Sequence, residues 1–464
     1  MYLVRPMPIP TRLPTRDEIA ETWHLALPVV TVQVGLMLMG VIDTMLVGRM
    51  GPVALAATAL GNLAFVMITI VALGTLLALD PLVAQAVGAR DETAIRHGVQ
   101  RGLLLSLVLS LPCSLLLLGS SWAFHLFGQP LEVIPLATGY ALRTIPGVVP
   151  FLAFVALRQS MQALGRLRPI VLVIVAANVA NALLDLLLIY GGWGVPALGV
   201  NGAAWATTIC RWGMAFGLLA AGWDTLGPRL RGEWRAAFEA APMRAMLRLG
   251  VPIGLQLELE LSAFGAVALL MGRLGTPAMA AHQVAINLAS LTFMVPLGVG
   301  AAAAVLVGRA IGAGDAGAAR RAARTAVTLG TGFMVGTAVL FLAVPGALAR
   351  LYTTDAAVLA ITGVLLPIAG VFQIFDGIQA VTSGVLRGTG DTHAALRANL
   401  IGFWGVGIPA SLGFGFALGF GAAGLWWGLV VGLAVVSVLL LRQARLRLGT
   451  PIARTTVEAG VTSG

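Results

Sequence analysis

The sequence predicts an all-α integral membrane protein, with twelve transmembrane helices in two pseudo-symmetric six-helix bundles. Three observations lead there. Of 464 residues, 58% are hydrophobic and only 10% are charged, with a mean hydropathy of +0.94; an ordinary soluble chain carries about 25% charged residues. The apolar runs are unbroken and reach the ~20 residues a helix needs to cross a bilayer, where a barrel strand would alternate. The third observation is an internal repeat. At a shift of 224 positions, Pro28 falls on Pro252, Gly48-Arg49 on Gly272-Arg273, Leu73-Gly74 on Leu297-Gly298, Asp91 on Asp315 and Arg96 on Arg320. Gly199 and Gly202 meet Gly421 and Gly424 at a shift of 222.

Taken in order, the spans are expected near 23–46, 53–79, 102–124, 133–157, 169–190, 199–222, 245–271, 278–307, 323–345, 356–384, 395–418 and 421–441. The division that follows is a cytoplasmic segment 1–22, an N-terminal lobe 23–225, a basic amphipathic linker 226–244, a C-terminal lobe 245–442 and a tail 443–464. Each half holds six spans, an even number, so both enter the membrane in the same sense. The pseudo-twofold axis then runs along the membrane normal, and a cavity between two rocking bundles is the expected consequence. Glycines at helical spacing, such as Gly424, Gly428 and Gly432, suit close helix contact in lipid.

Arginines orient the chain. They crowd the loops after even-numbered spans: Arg90, Arg96 and Arg101, then Arg166 and Arg168, then Arg229, Arg231, Arg235, Arg244 and Arg248, then Arg309, Arg320, Arg321 and Arg324, and finally Arg387 and Arg397. After odd-numbered spans only Arg49, Arg273 and Arg350 occur. The positive-inside rule places both termini in the cytoplasm. Spread over loops in this way, the net charge of +10 does not form a nucleic-acid patch, and no nucleic-acid partner is expected. Cys113 and Cys210 lie in apolar runs and read as buried thiols. The Pro-rich, mixed-charge residues 1–22 do not resemble a cleavable signal peptide.

Against this apolar background the acids stand out. Asn178, Asn181 and Asp185 lie three and four apart within the fifth span, one polar stripe on a helix. A carboxylate at that depth is unfavourable by several kcal/mol unless protonated, paired or wetted. Asp43 and Asp185 both sit late in outward-running spans, in the outer half of the first bundle. If packing brings them together, the pair would hold one proton between them, and Asn178 and Asn181 could ligate Na+ or orient water. A hydrogen-bond network that merely locks the bundle is the structural alternative. Glu260 and Asp376 lie near the middle of the seventh and tenth spans, and the repeat sets Leu36 opposite Glu260, so the halves are chemically unequal. Glu258 points to the other side of its helix and is a helix-contact or cavity candidate. Asp80, before Pro81, reads as a turn or cap. Arg211, near Thr207 and Thr208, would neutralise a buried acid or line the cytoplasmic mouth. His282 and Gln283 follow a short loop, and His282 reads as a helix-end hydrogen bonder. Gln283, Asn287, Asn62, Gln256 and Gln373 are candidate cavity liners.

Several stretches resemble the multidrug and toxic-compound extrusion (MATE) transporters, over nearly the whole chain. They are Val41-Ile42-Asp43-Thr44-Met45-Leu46-Val47-Gly48, Asn181 to Asp185 leading to Ile189-Tyr190-Gly191, and Gly199-Val200-Asn201-Gly202-Ala203-Ala204-Trp205-Ala206-Thr207. The most specific is Ala280-Ala281-His282-Gln283-Val284-Ala285-Ile286-Asn287, continuing to Val307-Gly308-Arg309; Gly384 to Asp391 completes the set. The resemblance implies cation-coupled efflux of drugs or toxic organic cations. It implies a first-lobe cation site at Asp43, Asn181, Asp185 and Thr207, able to take H+ or Na+, and a second site at Glu260 and Asp376 as in the NorM-like subgroup. Asp185 stands where many such members have asparagine. Phe372 stands where a tyrosine is expected in sodium-using members, which weakens the case for Na+ in the second lobe. No cofactor beyond the coupling ion is expected, and the partners are small-molecule drugs and membrane lipids. The chain is expected as a monomer in the bacterial inner membrane.

Three rivals are set against this. A lipid-linked saccharide flippase would line its cavity with arginine, whereas the mid-membrane charges here are mostly acidic. An integral-membrane enzyme would need a metal-ligand cluster or a nucleophile beside a base, and neither motif is present. A channel does not call for the two-lobe repeat.

Overall fold

The computed structural model describes residues 14–450 and 452–455. Among these residues the only extended pairing is an isolated bridge between Gly192 and Val195. Twelve long helices carry the chain: α1 Arg16–Gly48, α2 Pro52–Gly88, α3 Glu92–Leu118, α4 Ile134–Ala163, α5 Arg168–Tyr190, α6 Val200–Ala221, α7 Ala240–Arg273, α8 Thr276–Gly312, α9 Ala316–Ala343, α10 Ala356–Gly388, α11 Thr392–Ala417 and α12 Gly421–Gly449. All but α6 are apolar enough over their length to cross a membrane by composition alone. With 22 residues, α6 is about 33 Å long, and Asn201, Thr207, Thr208 and Arg211 lower its hydropathy.

Most helices outrun the apolar runs that announce them. α1 starts at Arg16, with Asp17 and Glu18 in its first turn, where acidic side chains meet the positive end of the helix dipole. α8 begins at Thr276 with Pro277 in the first turn, slightly ahead of the expected span, and His282 lies in its second turn. α2 is interrupted at Leu77-Ala78 and resumes at Leu79. Pro81 is tolerated in that first turn because its missing N–H has no helical acceptor there. Asp80 shares the turn and is 1% exposed; its Oδ1 accepts a 2.8 Å hydrogen bond from Gln159 Nε2. The side chain therefore ties α2 to α4 as well as opening a turn.

The chain forms two compact units. One takes Thr31–Val87 and Asp91–Gly254; the other takes the described residues up to Val30, Gly88–Arg90 and the described residues from Leu255 to Thr455. Both changeovers near a helix-interior proline fall between the second and third residue after it, at Pro28 and at Pro252. In the first unit α5 packs on α6 and α2 on α4. In the second, α10 is central, packed on α8, α9 and α12. There Gly424, Gly428 and Gly432 of α12 face α11, and a Cβ at any of them would overlap Phe414, Ser411 or Gly407. The α11 backbone that meets them is π-helical at Leu400–Gly407 and Gly413–Ala417.

Four cytoplasm-expected loops share one closing device. The N–H of Asp91, Arg166, Asp315 and Asp391 donates to the carbonyl five residues back, on Ala86, Met161, Ala310 and Leu386, at 3.0, 2.9, 2.9 and 3.0 Å. The residue before each is left-handed: Arg90 (φ 56), Gly165 (φ 73), Gly314 (φ 75) and Gly390 (φ 80). This is the Schellman end of a helix, which favours glycine. Arg90 is the exception, and a Cβ in that region is unfavourable by about 1 kcal/mol. Arg90 is exposed, so Arg90→Gly is expected to raise the thermal unfolding midpoint in detergent. Gly314→Ala, where an added Cβ meets no atom within 4 Å, should lower it by a similar energy.

Candidate functional site

The first acidic cluster is assembled from α1, α5 and α6. Gly202 lets the α6 backbone press onto the Leu188 carbonyl of α5, which turns the polar faces of the two helices toward α1. Asn181 and Asp185 are 0% exposed and Asp43 is 7% exposed. Thr207 Oγ1 lies 3.2 Å from Asp43 Oδ2 and 3.0 Å from the Ala203 carbonyl; its single proton serves one acceptor at a time. The Asp43 and Asp185 carboxyls lie against one another, with the Asn181 amide beside Asp43. Among the described residues no hydrogen bond of good geometry reaches Asp43 Oδ1 or either Asp185 oxygen, and neither amide atom of Asn181 makes one.

That pattern has a chemical meaning. Ionised carboxylates only accept hydrogen bonds, so two in contact require a proton or another cation between them. Buried oxygens without donors form a hard oxygen set, suited to H+ or an alkali cation rather than to a soft transition metal. Among the described residues no three His, Cys, Asp or Glu side chains gather as a metal site. Asn178 takes part less directly. Its Nδ2 donates 2.9 Å to the Ile174 carbonyl of its own helix, and it faces Gly35 of α1.

The second cluster lies on α7 and α10. Glu260 Oε2 accepts a 2.9 Å hydrogen bond from Gln379 Nε2. Asp376, 6% exposed, sits within electrostatic range of Glu260. Glu258 is half-buried, with Oε2 enclosed and unbonded. Gln373, three residues before Asp376, accepts from Thr292 and Thr337 at 3.0 and 2.8 Å through Oε1, and its Nε2 is buried without an acceptor. Phe372 is edge-on to Trp426 at 5.6 Å and to Phe264 at 5.9 Å. His282, 2% exposed, packs on Trp426 at 5.7 Å with Nδ1 unbonded. Gln283 is exposed and reaches only Asn287, at 3.5 Å.

A family model described as MatE matches residues 28–187 and again 252–412. The chain belongs to the MatE family. The second match begins 224 positions after the first, which is the shift of the internal repeat. The multidrug resistance protein NorM of Burkholderia vietnamiensis is 38% identical over 447 residues, spanning 93% of this chain and 95% of its own length. A probable multidrug resistance protein NorM of Bradyrhizobium diazoefficiens is 38% identical over 439 residues, spanning 93% and 94%. Among solved structures, the eukaryotic MATE transporter AtDTX14 matches with a TM-score of 0.83 at 26% identity, covering 93% of this chain and 99% of its own. The MATE chain is thus a multi-pass membrane protein of a transporter family, not an enzyme.

Three groups of this MATE protein have partners that the sequence does not announce. Gln379 was passed over because a lone glutamine carries no spacing signal, yet it holds Glu260. Arg158 lay just beyond the expected end of the fourth span. Because α4 continues to Ala163, Arg158 is inside the helix, and its Nη1 donates 3.0 Å to Gln33 Oε1. Arg211 was noticed, but not its partners: its guanidinium lies 3.6 Å over the Phe65 ring.

Proposed function

We propose that this MATE protein is a secondary active antiporter, exporting drugs or toxic organic cations in exchange for H+ or Na+ by alternating access. The observation that carries the reading is the buried Asp43–Asp185 contact with three carboxylate oxygens left without donors. Neither acid is within ion-pair distance of a base among the described residues, and the nearby Arg211 offsets at most one of the two charges, so a mobile cation is the natural counter-charge for the other. Asn181 and Thr207 complete that site, and Asn178 borders it. Glu260 and Asp376 supply a second negative region, where an organic cation also meets the half-buried ring of Phe264. The names of the NorM relatives support multidrug transport. The arginine distribution supports cytoplasmic termini, the bacterial NorM relatives support a bacterial membrane, and the monomer is proposed as the working unit.

A direct test is efflux of tetraphenylphosphonium from proteoliposomes under pH and Na+ gradients imposed separately. One of the two is expected to drive efflux against a concentration gradient, and Asp43→Asn should uncouple it. Efflux indifferent to both gradients would remove antiport from the account.

A further inference from the structure

The acid pair has a permanent cation as a neighbour. Arg211 lies four residues beyond Thr207 on α6, hence on the same face one turn along, and is 7% exposed. Its guanidinium carbon sits 3.6 Å from the Phe65 ring centroid and 5.4 Å from that of Phe151. The two rings are 5.5 Å apart at 68°, forming two walls of a cage. Nη1 is buried without an acceptor. The stem is fixed beneath Gly147, where a Cβ would come within 3.1 Å of Arg211 Cδ. A guanidinium does not deprotonate in a protein, so this charge is constant through any cycle.

Aromatic faces beside carboxylates are the chemistry that recognises an organic cation. Here those faces are already covered by a cation belonging to the chain. We propose that Arg211 acts as a tethered occupant of the Phe65–Phe151 cage, which reserves the Asp43–Asp185 pair for a small inorganic cation and excludes organic ones. This rests on the reading that the pair binds a coupling cation. Two carboxylates and one guanidinium leave a single negative charge, which one proton or one Na+ neutralises. Such an ion needs only oxygen ligands, which the unbonded oxygens of Asp43, Asp185 and Asn181 offer, and has no need of a ring face. A phosphonium or quaternary ammonium ion needs the ring faces and meets the positive charge instead. Arg211 is therefore a specificity residue: it assigns the inorganic ion to this cluster and leaves organic cations to the other.

The test is equilibrium binding of tetraphenylphosphonium to the purified full-length protein in nanodiscs. Arg211→Ala, which opens the cage and removes the charge, is expected to bind it roughly tenfold more tightly than the unsubstituted protein. That gain should vanish when Asp43→Asn is added, and Arg211→Lys should keep the original affinity. Should the alanine variant fail to fold, Arg211→Met fills the stem without the charge and is expected to tighten binding in the same direction. Affinity unchanged or weakened in the folded neutral variants would overturn the proposal, as would a gain that survives Asp43→Asn. The coupling reading is judged separately, by gradient-driven flux in Asp43→Asn with Arg211 intact.

Discussion

Asp43→Asn and Asp185→Asn are each expected to abolish cation-coupled efflux while leaving the protein folded. Asparagine is nearly isosteric with aspartate, and its NH2 group donates where the carboxylate could only accept. An amide at position 43 can hydrogen-bond directly to Asp185, giving the pair internally what a bound proton would give it. The site is then fixed in a loaded-like state and has nothing to exchange. Removing one member of a buried charge arrangement typically weakens cation binding by about 2 kcal/mol or more, roughly 30-fold. Drug-resistance titration in a susceptible host should fall to the vector level in both variants, with thermal stability equal to or above that of the unsubstituted protein. Unchanged resistance in both would show that the carboxylates are structural.

The second large effect is expected from the α7–α10 cluster. Glu260→Gln keeps a hydrogen-bond partner for Gln379 Nε2, at present 2.9 Å from Oε2, but removes the charge. Asp376→Asn does the same on α10. Together they empty this region of the negative charge that an organic cation would meet, with a loss of roughly 100-fold in tetraphenylphosphonium affinity for the double variant. Because Gln379 still has an acceptor, the packing of α7 on α10 should survive. The measurement is direct binding, followed by transport at saturating substrate. If binding is retained and only transport is lost, Glu260 and Asp376 serve the coupling ion and not the drug.

These expectations draw unevenly on sequence and structure. The acids at 43, 185, 260 and 376 are conspicuous in the chain because charge is rare in apolar runs. Helical spacing places Asn181 and Asp185 on one face. Which face meets which neighbour is a different matter, since the rotation of a helix about its own axis is set by close contacts such as Gly202 on Leu188. The Asn178 side chain belongs to the same stripe, yet its amide turns back to Ile174. Its position was legible and its hydrogen bond was not. His282 shows the complementary limit. Hydropathy places it near the start of a helix, but gives no sign that its imidazole packs on Trp426 of α12.

By itself the sequence determined the membrane class, the repeat and the handful of charges that must be accounted for, and its arginines gave the expected orientation. All of these follow from local composition and one-dimensional period, which survive without any tertiary contact. Only the folded chain decided that Asp43 and Asp185 touch, that Gln379 holds Glu260, and that Arg211 lies on Phe65. Each of those pairings joins residues more than a hundred positions apart, and each depends on how helices roll and slide against one another. No local pattern encodes that, because the energy that selects it exists only once the side chains interlock.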